Sequence, residues 1–141
     1  MIRWVLDTSV LVAGVRSRQG ASFALLNLVV ARSVRPLATP ALFLEYEDVL
    51  KHPEHLRAAG RSIAEIDQFL DQFADAAEPV DIRFRWRPQL PDPNDEFVLE
   101  AAINGGAAAL ITHNTRDFIQ AGAQFGIAVL QPSEALRRIG V

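Results

Sequence analysis

Cysteine is absent from this chain. That excludes disulfide staples, thiolate metal sites and cysteine nucleophiles together. Lysine is nearly absent: thirteen arginines accompany the single Lys51. There is therefore no P-loop glycine–lysine pair, and no lysine after a late strand of the kind a phosphoryl-accepting receiver domain relies on. The first apolar run is followed by Asp7-Thr8-Ser9 rather than a glycine-rich turn, which argues against a dinucleotide-binding domain. No G-x-S-x-G nucleophile elbow occurs. No apolar run approaches the ~20 residues that span a bilayer. The start, Met1 to Leu6, is too short for a signal peptide. A cytoplasmic protein with no membrane partner is expected.

What is present suits one domain over residues 1–141, with half the residues hydrophobic and a sizeable core. The net charge of −3 argues against tight non-specific binding of nucleic acid. It does not exclude a nuclease, because bound cations neutralise a cluster of acidic ligands and dominate the local field. Arginine in place of lysine suits bidentate phosphate contacts; codon bias is the other explanation.

Short apolar runs alternate with segments of helical periodicity. Strands are expected at 2–6, 34–38, 108–112 and 127–130, with an extended stretch over 79–84. Helices are expected after Asp7, over 21–31, from Pro40 to about Lys51, over 62–77, from Asp92-Pro93 to near Gly105, over 115–120 and after Pro132. Thr39-Pro40 reads as a cap followed by proline in the first helical position, and His52-Pro53 as a break. Continuously apolar strands between helices indicate a three-layer α/β/α domain with a mostly parallel central sheet.

In such a sheet, ligands bind beyond the carboxyl ends of the strands. Asp7, Asn114 and Asp117 fall at that edge, as do Asp92 and Asp95 at the start of a helix that runs away from it. Glu45 shares a helix face with Ala41, Leu42 and Val49, and Asp95 shares one with Val98, Leu99 and Ala102. Carboxylates on core-facing stripes are costly unless paired or bound to a cation. Each has a local alternative: Asp7, Asp92 and Asn114 as helix caps, Asp95 and Asp117 as first-turn residues, Glu45 as an arginine's partner. Oxygen ligands with no cysteine and no suitable histidine pair favour Mg²⁺ or Mn²⁺ over zinc.

The motifs recur in order along the chain: Val5-Leu6-Asp7-Thr8-Ser9-Val10-Leu11-Val12, then Pro40-Ala41-Leu42 through Glu45-Tyr46 and Val49-Leu50. Asp92-Pro93-Asn94-Asp95 follows, leading to Ala101-Ala102, and finally Leu110-Ile111-Thr112-His113-Asn114 with Arg116-Asp117-Phe118. In these the chain resembles the PIN-domain proteins, of the kind found as the toxins of bacterial toxin–antitoxin pairs of the VapC type. The resemblance implies a metal-dependent endoribonuclease that hydrolyses single-stranded RNA and leaves a 5′-phosphate. It implies Asp7, Glu45, Asp95 and Asp117 as the catalytic and metal-binding acids, with Thr8, Ser9, Asp92 and Asn114 assisting. It implies one or two Mg²⁺ or Mn²⁺ ions, a cognate antitoxin as partner, and a homodimer as a common assembly. One position departs from the pattern. Many relatives carry aspartate where this chain has Asn114, whose amide oxygen can coordinate but brings no charge; the departure bears on a second cation position.

Two groups of arginines are candidates for RNA contact. Arg16 and Arg18 fall in a loop near Asp7. Arg83, Arg85 and Arg87 alternate with Phe84 and Trp86, so that an extended backbone would present guanidinium groups on one face and aromatics on the other; an edge strand packing its aromatics on the core is the alternative. His113 reads as structural. A different class of function also fits the sequence: a catalytically weak module of the same fold that binds RNA or a protein partner.

Overall fold

Buried parallel strands need apolar residues on both faces, and the short runs noted above meet that need. In the computed structural model, which describes residues 1–85 and 87–141, they become β1 (Ile2–Leu6), β2 (Val34–Ala38), β4 (Ala109–Ile111) and β5 (Ala128–Leu130), with β3 (Glu78–Pro79) at one edge. The helices among the described residues are α1 (Thr8–Arg16), α2 (Ala21–Val30), α3 (Pro40–Leu50), α4 (Pro53–Ala59), α5 (Ile63–Ala76), α6 (Asp95–Gly105), α7 (Thr115–Phe125) and α8 (Pro132–Arg138). All strand pairs are parallel, in the order β3-β2-β1-β4-β5, and the architecture is the expected α/β/α one. Leu6 lies opposite Ile111, and Ile111 opposite Leu130. The carboxyl ends of β1, β4 and β5 are thereby level.

The strand order reverses direction at β1, between β2 and β4. Such a switch point opens a crevice at the carboxyl edge, and Asp7 stands there. Val5, Leu6, Leu110 and Ile111 fill the centre of the core, packed with Leu11, Leu25, Tyr46, Phe73, Leu99 and Phe118. Close approach of α1 and α2 requires Gly14: a Cβ there would lie 2.3 Å from Leu26 Cδ1.

Four boundaries differ from expectation. His52-Pro53 ends α3 but also begins α4, with the His52 ring accepting the Glu54 N–H; proline stops a helix and is equally suited to start one. Asp92-Pro93 does not open α6. The chain turns over 91–94 and the helix begins at Asp95, while Asp92 Oδ1 accepts the Asn94 N–H at 2.9 Å. Beyond β3 the stretch to Arg85 is irregular, because its backbone bonds to a side chain rather than a strand: Asn104 Oδ1 accepts the N–H groups of Arg83 and Phe84. The helix expected over 115–120 continues to Phe125 and stops at Gly126, whose φ of 71° is left-handed.

Tyr46 ties α3 to β1. It is buried edge-on against Phe73, with ring centroids 5.4 Å apart, and its hydroxyl donates to the Leu6 carbonyl. The neighbours of these two residues are Glu45 and Asp7, so this one contact brings two acids to the same edge. Tyr46→Phe should lower stability by about 1–2 kcal/mol through loss of that buried hydrogen bond. Urea denaturation would show it as a lower midpoint at unchanged m; an unmoved midpoint would mean that the contact contributes nothing.

Candidate active site

Asp7 is 5 % exposed and occupies the N-cap position of α1, yet its side chain caps nothing. Its Oδ2 instead accepts hydrogen bonds from Ser9 Oγ and Thr112 Oγ1, both at 2.7 Å. Its N–H donates to Ile111 at 2.8 Å, and the Thr112 N–H donates to Leu130 at 2.9 Å. The carboxylate is thus fixed across the ends of β1, β4 and β5, with no hydrogen bond to Oδ1 among the described residues. Thr112 was not singled out in the sequence. The available signal was a hydroxyl residue at the end of a buried strand, level with Asp7.

Asp7, Glu45, Asp92, Asp95 and Asn114 line one open cavity of about 540 Å³, with Thr8 and Ser9 in its wall. Asp117 is placed differently. It lines a neighbouring cavity, though it is near enough to act electrostatically on Asp95. The alternative role of helix cap is not filled by Asn114, whose side chain makes no capping bond to α7. Glu45 has no arginine partner among the described residues. None of Asp7, Glu45, Asp92, Asp95 and Asp117 joins an ion pair among the described residues, whereas Glu47, Glu65, Asp67, Glu78 and Glu100 all do.

Acids gathered without counter-charge resist ionisation. Burial, then the charges of Asp7, Asp92, Asp117 and Glu96, push the Asp95 carboxyl up to about 7. Glu45 is raised for the same reasons: burial first, then Asp48, Asp92 and Asp7. The donor set is oxygen only, at a concave edge, and unneutralised, which fits a hard divalent cation. Among the described residues no three acidic or histidine side chains converge closely enough to hold an ion as they stand. Asp7 is fixed, and closing on an ion would require the half-buried Asp95 and Glu45 side chains to rotate toward it.

The arginines divide. Arg16 lines the acid cavity, its guanidinium 2.6 Å from His55 Nδ1, a histidine 39 residues away that no local motif singles out. Arg18 is exposed in the α1–α2 loop and does not line the cavity. The alternation over Arg83–Arg87 does not lie in a strand, and Trp86 lies outside the described residues. Arg85 and Arg87 both pair with the buried Glu100, and Arg87 also stacks over Phe97 at 5.2 Å. Two of the three guanidinium groups expected to meet RNA are therefore committed to neutralising a buried carboxylate. Arg83 is exposed.

The sequence model of the PIN domain matches residues 3–116, well over half of the chain, which therefore belongs to the PIN-domain family. The matched stretch contains Asp7, Glu45, Asp92, Asp95 and Asn114 and stops one residue before Asp117. In fold the chain is similar to a chain in the crystal structure of VapBC2 from Rickettsia felis bound to a DNA fragment from their promoter. The TM-score is 0.60 at 15% identity, over 92% of this chain and 98% of that one. A comparison with curated proteins finds no match. No helix among the described residues is long and apolar enough to cross a membrane.

The raised Asp95 carboxyl has a consequence for stability. Its ordinary value is 3.8 and its folded value about 7, so between those limits the folded state holds the proton more tightly than the unfolded chain does. Stability in chelator should therefore fall as pH rises through this window. Asp95→Asn cannot ionise and should flatten the decline. Thermal melts of both proteins at pH 5 and pH 8, with chelator, test this; parallel declines would show that Asp95 does not titrate abnormally.

Proposed function

We propose that the protein is a ribonuclease that hydrolyses phosphodiester bonds of single-stranded RNA with Mg²⁺ or Mn²⁺, and that it acts as the toxin of a toxin–antitoxin pair. The observation that carries the reading is the group of unpaired acids around one cavity, with Asp7 rigid and Asp95 and Glu45 held above their ordinary pKa. By contrast, Glu47, Glu65, Asp67, Glu78 and Glu100 each have a lysine or arginine partner. The PIN-domain match supports nuclease chemistry. The likeness to a chain of VapBC2 favours an antitoxin as the protein partner.

Asp7 and Asp95 are the direct metal ligands, and Glu45 is a third, direct or through water. Asp117 lies at the margin. When bound, a divalent cation supplies Lewis-acid polarisation of the phosphoryl group and neutralises the acids. The protein's own groups do the positioning. Ser9 and Thr112 fix Asp7 through Oδ2. Glu45 is placed to orient the attacking water and take up its proton. Asp95, at the first turn of α6, gains from the positive end of the helix once ionised. Arg16 on the cavity wall is the candidate contact to a phosphate oxygen.

Asp7→Asn and Asp95→Asn should each reduce cleavage of single-stranded RNA on the order of 100-fold or more, the scale for removing one preorganised electrostatic group. Folding should survive, since the Ser9 and Thr112 hydroxyls can reorient to suit an amide. Cleavage of a labelled oligoribonucleotide with Mn²⁺, alongside a circular dichroism melt, measures both. A variant that cut at the wild-type rate would remove that residue from the site.

Asn114 lines the cavity and its side chain takes part in no hydrogen bond among the described residues. Asn114→Asp adds a charge where a cation would sit, so the Mn²⁺ concentration for half-maximal cleavage should fall. The same variant should be less stable in chelator and recover with Mn²⁺, because a ligand that binds only the folded state stabilises it. Superimposable metal titrations for the two proteins would place residue 114 outside the metal site.

A further inference from the structure

Beside the acid cavity lies a second one, of about 350 Å³, that the reaction outlined above does not use. Arg116, Gln120 and Gln124 stand at i, i+4 and i+8 along α7 and form one row. Gln89 and Leu90 face them from the segment before α6, and Asp117 stands in the wall. None of the three glutamine side chains takes part in a hydrogen bond among the described residues. The opposite wall is held in place from beneath. Glu96 is 3 % exposed, and its Oε1 accepts the N–H groups of Gln89 at 2.6 Å and Leu90 at 2.9 Å. A buried carboxylate with no catalytic use is thus spent on fixing this turn.

We propose that this pocket is the site for a purine base of the RNA, next to the phosphate held in the acid cavity. The inference rests on the ribonuclease reading and specifies its substrate. Three amides each present a donor and an acceptor, suited to a neutral base edge. One arginine opposite an aspartate in the same wall is poorly suited to a phosphate, which the Asp117 carboxylate would repel. The reader types decide the class of base. Glutamine pairs bidentately with adenine N6 and N7, and arginine with guanine O6 and N7. Both use N7, which pyrimidines lack. Unstacked bases of single-stranded RNA are available for recognition on these edges, and Leu90, 8 % exposed, supplies an apolar surface for the ring. Asp117 lies in this wall and yet acts electrostatically on Asp95 in the acid cavity, so the two cavities adjoin.

Two measurements on the whole protein test the proposal. In chelator, where RNA is not cut, the side-chain amide NMR signals of Gln89, Gln120 and Gln124 are followed during addition of tetranucleotides: one adenine or one guanine among uridines, or uridines alone. The purine-containing RNA should shift these signals and the uridine RNA should not. With Mn²⁺, mapped cut sites should carry a purine at one fixed offset from the cleaved bond. Gln120→Ala/Gln124→Ala, two exposed helix positions that tolerate alanine, should reduce the purine-over-uridine ratio of kcat/KM about tenfold. Amides that ignore purines, or respond equally to uridine RNA, overturn the proposal, as do cut sites without a fixed purine. RNA cutting with silent amides and no purine preference removes the purine site and leaves the ribonuclease reading. Amide shifts with no cleavage under Mg²⁺ or Mn²⁺ do the reverse.

Discussion

The buried Asp7 carboxylate is the constraint around which the carboxyl edge of this sheet is organised. A charged group at 5 % exposure is expensive unless its oxygens are occupied. Here Ser9 supplies one hydroxyl from α1 and Thr112 another from the end of β4, and both fall on the same oxygen. The arrangement works only if β1 and β4 are neighbours, in the register that sets Leu6 opposite Ile111. The Tyr46 hydroxyl on Leu6 then adds α3 to the same edge. Strand order, register and the position of Glu45 therefore follow from satisfying one short stretch of chain. Asp7 ends fixed on one oxygen, with the other uncommitted among the described residues.

Asp92 and Asp95 depend on a different device. The described residues between Val80 and α6 belong to no strand, and their polar backbone must be satisfied largely by side chains. Helix α6 provides them in a row at i, i+4 and i+8. Glu96 accepts two backbone N–H groups from Gln89 and Leu90, Glu100 takes the guanidinium groups of Arg85 and Arg87, and Asn104 bonds the backbone of Arg83 and Phe84. One helix face thereby clamps the segment along its length and delivers the 91–94 turn to the acid cavity. Arg85 and Arg87 gain desolvated partners in this clamp, which accounts for their recruitment away from solvent.

Much of this could be read from the residues. Period and composition were sufficient for the four longer strands and for α3 and α5, because apolar runs and capping pairs such as Thr39-Pro40 act locally. The edge position of Asp7, Asp92, Asp95 and Asn114 followed from the rule for parallel sheets, and Glu45 stood out by its place on an apolar helix face. What escaped the sequence depends on contacts distant along the chain. Thr112 is 105 residues from the Asp7 it binds, and His55 is 39 from Arg16. Glu100 is 13 residues from the Arg87 it binds, and Asn104 is 21 from Arg83. The start of α6 moved from Asp92 to Asp95 because the Asp92 side chain bonds the Asn94 N–H and stabilises a turn that competes with the helix.

The charge balance links these observations to recognition. A protein with net charge −3 that gathers unpaired acids at one edge creates a field that repels a polyanion. Arg85 and Arg87 are engaged with Glu100, and Arg16 is the one arginine lining the acid cavity among the described residues. Few cations therefore remain near the cavity to attract RNA through its backbone. Two terms can compensate. One is the divalent ion, which reverses the local charge at the scissile phosphate; the other is readout of a neutral base, which is not opposed by the field. The row of amides on α7, close to the acids, supplies groups suited to the second. Under the proposed ribonuclease reading, such a protein would discriminate among RNAs chiefly through the metal site and the adjoining base, with little contribution from phosphates farther along the strand.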